Sequence, residues 1–327
     1  MIKFFLKLLY PFGLIYGLFT WIRNKLFDIG FFKQTQFDVP VISIGNLSMG
    51  GTGKTPHIEH FIKLFQTSHT IAILSRGYGR KTEGFKYVVE HDTPHASGDE
   101  PLQIKRKFPQ IIVAVDEKRV HGIETILSDH PLVNLILLDD SFQHRYVKPT
   151  LNILLTEYEN PFWNDLVVPA GGLREFKWGW ERADVLIITK CPENNSLTVP
   201  AKYQRIPCFF SRIVYLNPIV ISGEISKKIV LLTGIANPAP LFKHLQSKAY
   251  EIVKHFNFPD HHNFNENELN SVSKTALNNE ATIVTTEKDW MRLKSFWADK
   301  NLNIAILPIG VKIENEPHNW LALEANI

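Results

Sequence analysis

From residue 39 onward the chain alternates short, unbroken apolar runs with longer stretches of helical character. Residues 39–45 predict a buried strand running into a glycine-rich turn, and a helix follows from about Lys54 through Phe65. Further strands are predicted at 70–77, 110–115, 132–140, 151–157 and 183–190. Apolar strands without polar alternation, separated by helix-length segments, imply parallel strands covered on both faces. The expected fold class is α/β, a doubly wound, mostly parallel sheet with ligands at the carboxyl ends of its strands. Residues 192–223 are richer in proline and polar side chains and read as a crossing linker. A second βα series follows at 227–238, 250–256, 281–289 and 303–310. The expected division is a first domain over 28–220 and a second, smaller α/β domain over 221–327.

The N-terminus departs from this pattern. Its uncharged run, 8–22, is shorter than the ~20 residues of a spanning helix and is interrupted by Pro11, Gly13 and Gly17. Lys3, Lys7, Arg23 and Lys25 flank it, and Thr20–Arg23 offers no small-x-small cleavage site. Residues 1–27 are expected to form a helix lying in a membrane interface, with Tyr16 and Trp21 as anchors. The competing expectation is an amphipathic helix packed on the protein's own core.

The 327 residues suffice for two domains, and 44% hydrophobic with 21% charged residues is ordinary for a chain with a real core. A net charge of +3 is too small to argue for nucleic acid. Two cysteines, Cys191 and Cys208, make neither a disulfide framework nor a zinc cluster, so a reducing compartment is expected.

The candidate chemistry is concentrated in a few segments. Ser48, Met49, Gly50, Gly51, Thr52, Gly53, Lys54 and Thr55 sit between a strand and a helix, the setting of a P-loop. Glycines turn backbone N–H groups around phosphate oxygens, Lys54 reaches the β/γ-phosphates and the Thr55 hydroxyl ligates Mg²⁺. The strict motif places glycine where this chain has Ser48. Residues 135–140 form an apolar strand ending in Asp139 and Asp140, the carboxylates expected to hold Mg²⁺ directly or through water. Asp99 and Glu100, just before Pro101, are either a base with a metal ligand or a helix start. Arg76, Arg80 and Arg174 are possible phosphate clamps, each also explicable as turn or surface charge. Asp260-His261-His262 and residues 285–289 complete the set; the paired histidines suggest metal or acid–base work, without the spacing of a zinc site.

Seven segments in order resemble the tetraacyldisaccharide 4′-kinase family: GNLSMGGTGKTP (45–56), LSRGYGR (74–80), GDEP (98–101), LDDSFQH (138–144), GGLRE (171–175), PDHH (259–262) and TTEKD (285–289). The family is similar in lacking the glycine at the position of Ser48, whereas Ser141 stands where it usually has glycine. The resemblance implies a P-loop NTPase-like kinase that moves the γ-phosphate of ATP, with Mg²⁺, to the 4′-hydroxyl of a tetraacylated glucosamine disaccharide 1-phosphate in lipid A synthesis. It implies Asp99 as general base helped by His261, Lys54 at the phosphates, and Arg174 and Glu175 with Asp140 at the rim of the site. It places Thr55, Glu100 and Asp139 in the Mg²⁺ neighbourhood. It implies a membrane-associated enzyme with a membrane lipid as substrate; the further expectations are a monomer, peripheral or monotopic at the cytoplasmic face of the inner membrane, and no nucleic acid.

The rivals carry weaker signatures. A switch or partitioning ATPase of the P-loop class carries lysine where this chain has Met49. A GTPase carries N-K-x-D where this chain has Thr189-Lys190-Cys191-Pro192. A nonenzymatic membrane-binding module leaves the P-loop, the paired aspartates and the GDEP segment without a purpose.

Overall fold

The computed structural model describes residues 9–260, 262–297 and 301–326. The chain divides into two compact units, residues 1–213 with 311–327, and residues 214–310.

In the first unit, α1 (Tyr10–Asp28) precedes β1 (Val41–Asn46), α2 (Lys54–Phe65), β2 (Ile71–Ser75), β3 (Lys86–Tyr87), α3 (Asp99–Lys107), β4 (Ile112–Val115), α4 (Arg119–Asp129), β5 (Leu135–Asp139), β6 (Leu151–Glu157), β7 (Val185–Thr189) and β8 (Cys208–Tyr215). With β14 (Ile309–Ile313) these strands make a nine-stranded sheet in the order β14-β8-β7-β6-β1-β5-β2-β4-β3. The pairs β1/β5, β1/β6, β2/β5, β2/β4, β6/β7 and β7/β8 are parallel, and β3 is antiparallel to β4. Alternate residues of β1 face opposite layers. Ile42 and Ile44 pack with Ile58, Phe61 and Ile62 of α2, while Val41 shares a core with Ile123 and Ile126 of α4. The strand thus reads as continuously apolar because both its faces are covered. The chain leaves β1 for β2 on one side and later crosses from β5 to β6 on the other, so β1 is the switch point whose carboxyl end is expected to receive ligand.

Residues 192–223, expected to be a linker, instead carry β8 and β9 (Ile219–Ser222). Polar Ser211 and Arg212 interrupt the apolar run of β8, and most of that strand is only half-buried, which hid it from the hydrophobic pattern. The C-terminal residues return to the first unit. Ile313 and Trp320 lie in the core formed by β1 and α2, and Glu316 accepts a hydrogen bond from Trp320 Nε1 (3.0 Å) and pairs with His60 (2.6 Å).

The second unit holds β10 (Lys228–Thr233), α5 (Ala239–Ser247), β11 (Glu251–Asn257), α6 (Glu266–Asn278), β12 (Thr282–Thr286), α7 (Glu287–Trp297) and β13 (Ile304–Leu307), with β9 completing a five-stranded sheet in the order β11-β10-β12-β13-β9. Only β9 is antiparallel to its neighbour. A reciprocal cap starts α6: Asn265 accepts from the Glu268 amide and Glu268 accepts from the Asn265 amide.

The expected N-terminal helix is α1, ending at Asp28; residues 1–8 lie outside the described residues. It buries Gly13, Gly17 and Phe27 and leaves Phe12, Ile15, Leu18, Phe19, Trp21 and Ile22 exposed. No described helix is long and apolar enough to cross a membrane.

Candidate active site

The glycine-rich turn begins where β1, buried along its whole length, ends at Asn46. Gly50 (φ 107°) and Gly53 (φ 87°) take backbone conformations that residues with a β-carbon rarely adopt, and α2 starts at the next residue, Lys54. Three successive carbonyls of the turn are held by side chains. Lys190 Nζ donates to Gly51, Thr189 Oγ1 donates to Thr52 (2.9 Å) and the His57 ring donates from Nδ1 to Gly53 (2.7 Å). In a planar trans peptide the N–H points away from the carbonyl, so fixing the carbonyls of Thr52 and Gly53 aims the next amides, of Gly53 and Lys54, to the other side. Together with the unbonded amides of a helix's first turn they form an anion-seeking cradle. His57 is buried, which pulls it down to about 4; its neutral ring accepts at Nε2 from Ser211 (2.9 Å). Ser48 and Met49 are committed within the protein: Ser48 pairs with Leu173, and the Met49 amide donates to Gly172 (2.6 Å). The amide of Arg174 donates to Leu47 (2.8 Å), so the GGLRE segment lies strand-like along the entry to the turn.

β5 delivers Asp139 and Asp140 beside this turn, and the two carboxylates are driven apart. Asp140 turns the chain at φ 47°, and its Oδ1 lies 2.8 Å from Arg174 Nη1 and 3.6 Å from Lys54 Nζ. Against the cost of burial, those two cations hold it below the usual carboxylate range. Asp139 is fully enclosed; burial, then Glu100, then Asp140 push it up to about 7, against Lys54 and a hydrogen bond from Ser75 (3.0 Å). Its second oxygen, Oδ1, is buried with no hydrogen-bond partner, as is Oγ1 of Thr52. An orphaned buried oxygen on a carboxylate destabilised by its neighbours is what a divalent cation with hard oxygen ligands relieves. Among the described residues no three Asp, Glu, His or Cys side chains are already gathered into a metal group.

This arrangement predicts a pH-dependent stability. A carboxyl whose folded pKa is raised contributes its full stability below the unfolded value near 3.8 and loses it as pH rises through about 7. Asp139→Asn in metal-free protein should therefore raise Tm increasingly between pH 4 and 7, by about 2–4 °C for each kcal/mol, and level off above. Thermal melts across that range check it; a gain independent of pH contradicts it.

Ser141 does not need the glycine usual in the family, since its φ is not positive. Its hydroxyl hydrogen-bonds with Ser43 (2.8 Å). Asp99 and Glu100 form the first turn of α3, both half-buried, and Glu100 is near enough to Asp139 to raise it. Thr55, half-buried, is the second residue of α2. Of the two arginines in residues 76–80, Arg80 is tied to Glu117 and the Gly84 carbonyl, whereas Arg76 is exposed at the end of β2. Arg119, which no sequence motif marks, is buried at the start of α4 and donates to the carbonyls of Asp116 and of Asp139 (3.4 Å); burial pulls it down to about 10. Glu175, expected at the rim, is buried, with both oxygens engaged by Asn24, Gln143 and Arg182.

In the second unit the PDHH and TTEKD segments hold each other. Lys288 pairs with Asp260 (2.8 Å), and Arg292 bridges the His262 carbonyl (2.9 Å) and Asp289 (2.8 Å). Asp289 is buried and also accepts from the Gly234 amide and Thr286. His261 lies outside the described residues.

The geometry agrees with three comparisons. The sequence profile of LpxK, tetraacyldisaccharide-1-P 4′-kinase, matches residues 5–326. A tetraacyldisaccharide 4′-kinase of Flavobacterium johnsoniae is 45% identical over 96% of this chain and 94% of its own. One from Phocaeicola vulgatus is 43% identical over 93% and 90%. The crystal structure of the "apo" form of LpxK from Aquifex aeolicus in complex with ATP superposes with a TM-score of 0.79 at 29% identity, covering 97% of this chain and 96% of that one. The chain belongs to the tetraacyldisaccharide-1-P 4′-kinase family.

Proposed function

We propose that this chain transfers the γ-phosphate of ATP to the 4′-hydroxyl of a tetraacylated glucosamine disaccharide 1-phosphate, a step of lipid A synthesis. The observation that carries the reading is the meeting of the phosphate cradle at Gly50–Thr55 with two unlike carboxylates, Asp139 and Asp140, at the switch point of the sheet. The amides of the turn and the N-terminus of α2 bind the phosphates, and Lys54 and Arg174 stabilise the charge that spreads over the transferred group. Thr55, Glu100, Asp139 and Asp140 are the residues that would hold Mg²⁺. When bound, that ion neutralises charge on the phosphate oxygens. Asp99 accepts the proton of the sugar hydroxyl, a weak nucleophile on its own. ATP turnover that depends on added lipid disaccharide supports this reading. Turnover indifferent to the lipid and dependent on a protein partner would replace it with a switch ATPase.

The chain works as a monomer, peripheral or monotopic at the cytoplasmic face of the inner membrane. The apolar outer face of α1, with Lys25 exposed near its end, suits the headgroup boundary where an acylated substrate resides. Burying one exposed phenylalanine in lipid is worth about 1.5–3 kcal/mol, so Phe12→Asp with Phe19→Asp should weaken binding to anionic vesicles more than tenfold and leave ATP affinity unchanged. Co-sedimentation checks this, and undiminished vesicle binding contradicts it.

A further inference from the structure

The inner face of α1 is as specific as its outer face is apolar. A β-carbon on Gly13 would lie 2.9 Å from the Val167 carbonyl oxygen, and one on Gly17 would overlap the Phe176 ring. The helix is thus pressed against the segments that flank GGLRE on both sides. Two turns beyond Gly17, Asn24 Nδ2 donates to Glu175 Oε2 (2.6 Å), while Arg145 donates to the Asn24 carbonyl (2.7 Å) and Arg23 to the Gln143 carbonyl (3.1 Å). Glu175 is 3% exposed, and its other oxygen accepts from Arg182 (2.7 Å) and Gln143 (3.1 Å). The Gln143 amide also donates to the Asn46 carbonyl (2.9 Å), at the point where β1 ends, and its oxygen accepts from Arg174 (3.3 Å). Arg174 then meets Asp140, and Asp140 meets Lys54. An unbroken chain of polar contacts therefore runs from the interfacial helix to the phosphate-binding lysine.

We infer that Asn24 is a positioning residue for phosphoryl transfer. Its amide fixes the buried Glu175 carboxylate, Glu175 orients Gln143, and Gln143 sets Arg174 against Asp140. Helix α1 on this account does more than attach the protein to lipid, because its docking holds Arg174 in register with the phosphates. Without the Asn24 amide, Glu175 Oε2 is left buried and unpaired, and the carboxylate turns toward the remaining donors, drawing Gln143 away from Arg174. Asn24 lies on the buried side of the helix, so its loss leaves the lipid-facing side chains in place.

The inference rests on the kinase reading and is tested by a double-mutant cycle with full-length protein, γ-labelled ATP and tetraacyldisaccharide 1-phosphate in mixed micelles. Asn24→Ala should lower kcat about tenfold with little change in KM for ATP. Its vesicle binding should match wild type. In an Arg174→Ala background the same change should cost less than about twofold, because the pathway through Arg174 is already lost. A simple loss of packing would lower kcat by the same factor in both backgrounds, and that result overturns the inference, as does an Asn24→Ala enzyme with wild-type kcat. If Asn24→Ala fails to fold, Asn24→Gln, with the same amide on a longer arm, is run through the same cycle. A wild type that never labels the lipid refutes the kinase reading instead, so the two failures are distinguishable.

Discussion

Lys54→Ala should lower phosphoryl transfer by about 10³-fold, ~4 kcal/mol of transition-state stabilisation, with little change in Tm. The ammonium is buried at 8% exposure, 3.6 Å from Asp140 and 3.5 Å from Asn46 Oδ1. A cation held in place before the reaction, in surroundings from which water is largely excluded, is worth far more to the developing charge than one in bulk solvent. Asp140 keeps Arg174 as a partner in the variant, so the fold does not inherit an isolated buried charge. Lys54→Arg should not restore activity, because a planar fork on a longer arm does not replace a compact ammonium between Asn46 and Asp140. Single-turnover transfer measures the effect, and a loss below tenfold contradicts the role.

Asp99→Asn should lower kcat by about 10²- to 10⁴-fold, the range for removal of a general base. The position offers a sharp choice. Asp99 and Glu100 occupy the first turn of α3, where carboxylates also stabilise a helix start by about 0.3–1 kcal/mol. If Asp99 serves only the helix, the variant loses a little stability and keeps its kcat. If it is the base, kcat collapses while stability falls by no more than that helix-start contribution. Parallel melts and turnover measurements separate the two.

The parts of the site that are local in sequence are legible from pattern and spacing alone. β1, the glycine turn and α2 form one strand–turn–helix unit, and Asp139 and Asp140 follow an unbroken apolar strand. What holds the turn is not legible in that way. Thr189 and Lys190 come from β7 and the residue after it, and Ser211 from a strand whose polar residues disguise it as a linker. Each contact spans more than 130 positions of sequence, and no local signal marks a threonine or lysine as the clamp of a distant carbonyl. Glu175 illustrates the converse. Its motif is visible, yet only the fold reveals that its carboxylate is enclosed and shared among Asn24, Gln143 and Arg182. Asn24 itself reads in the sequence as one polar residue at the end of an apolar helix.

The site is built to deliver phosphate to a lipid rather than to water. The direct measurement follows the γ-label of ATP in mixed micelles of tetraacyldisaccharide 1-phosphate, with wild type beside Asp99→Ala. Wild type should place the label on the 4′-oxygen of the disaccharide, while the variant still binds ATP and leaves the lipid unlabelled. Release of the label as free phosphate by wild type, with the lipid unchanged, would contradict it.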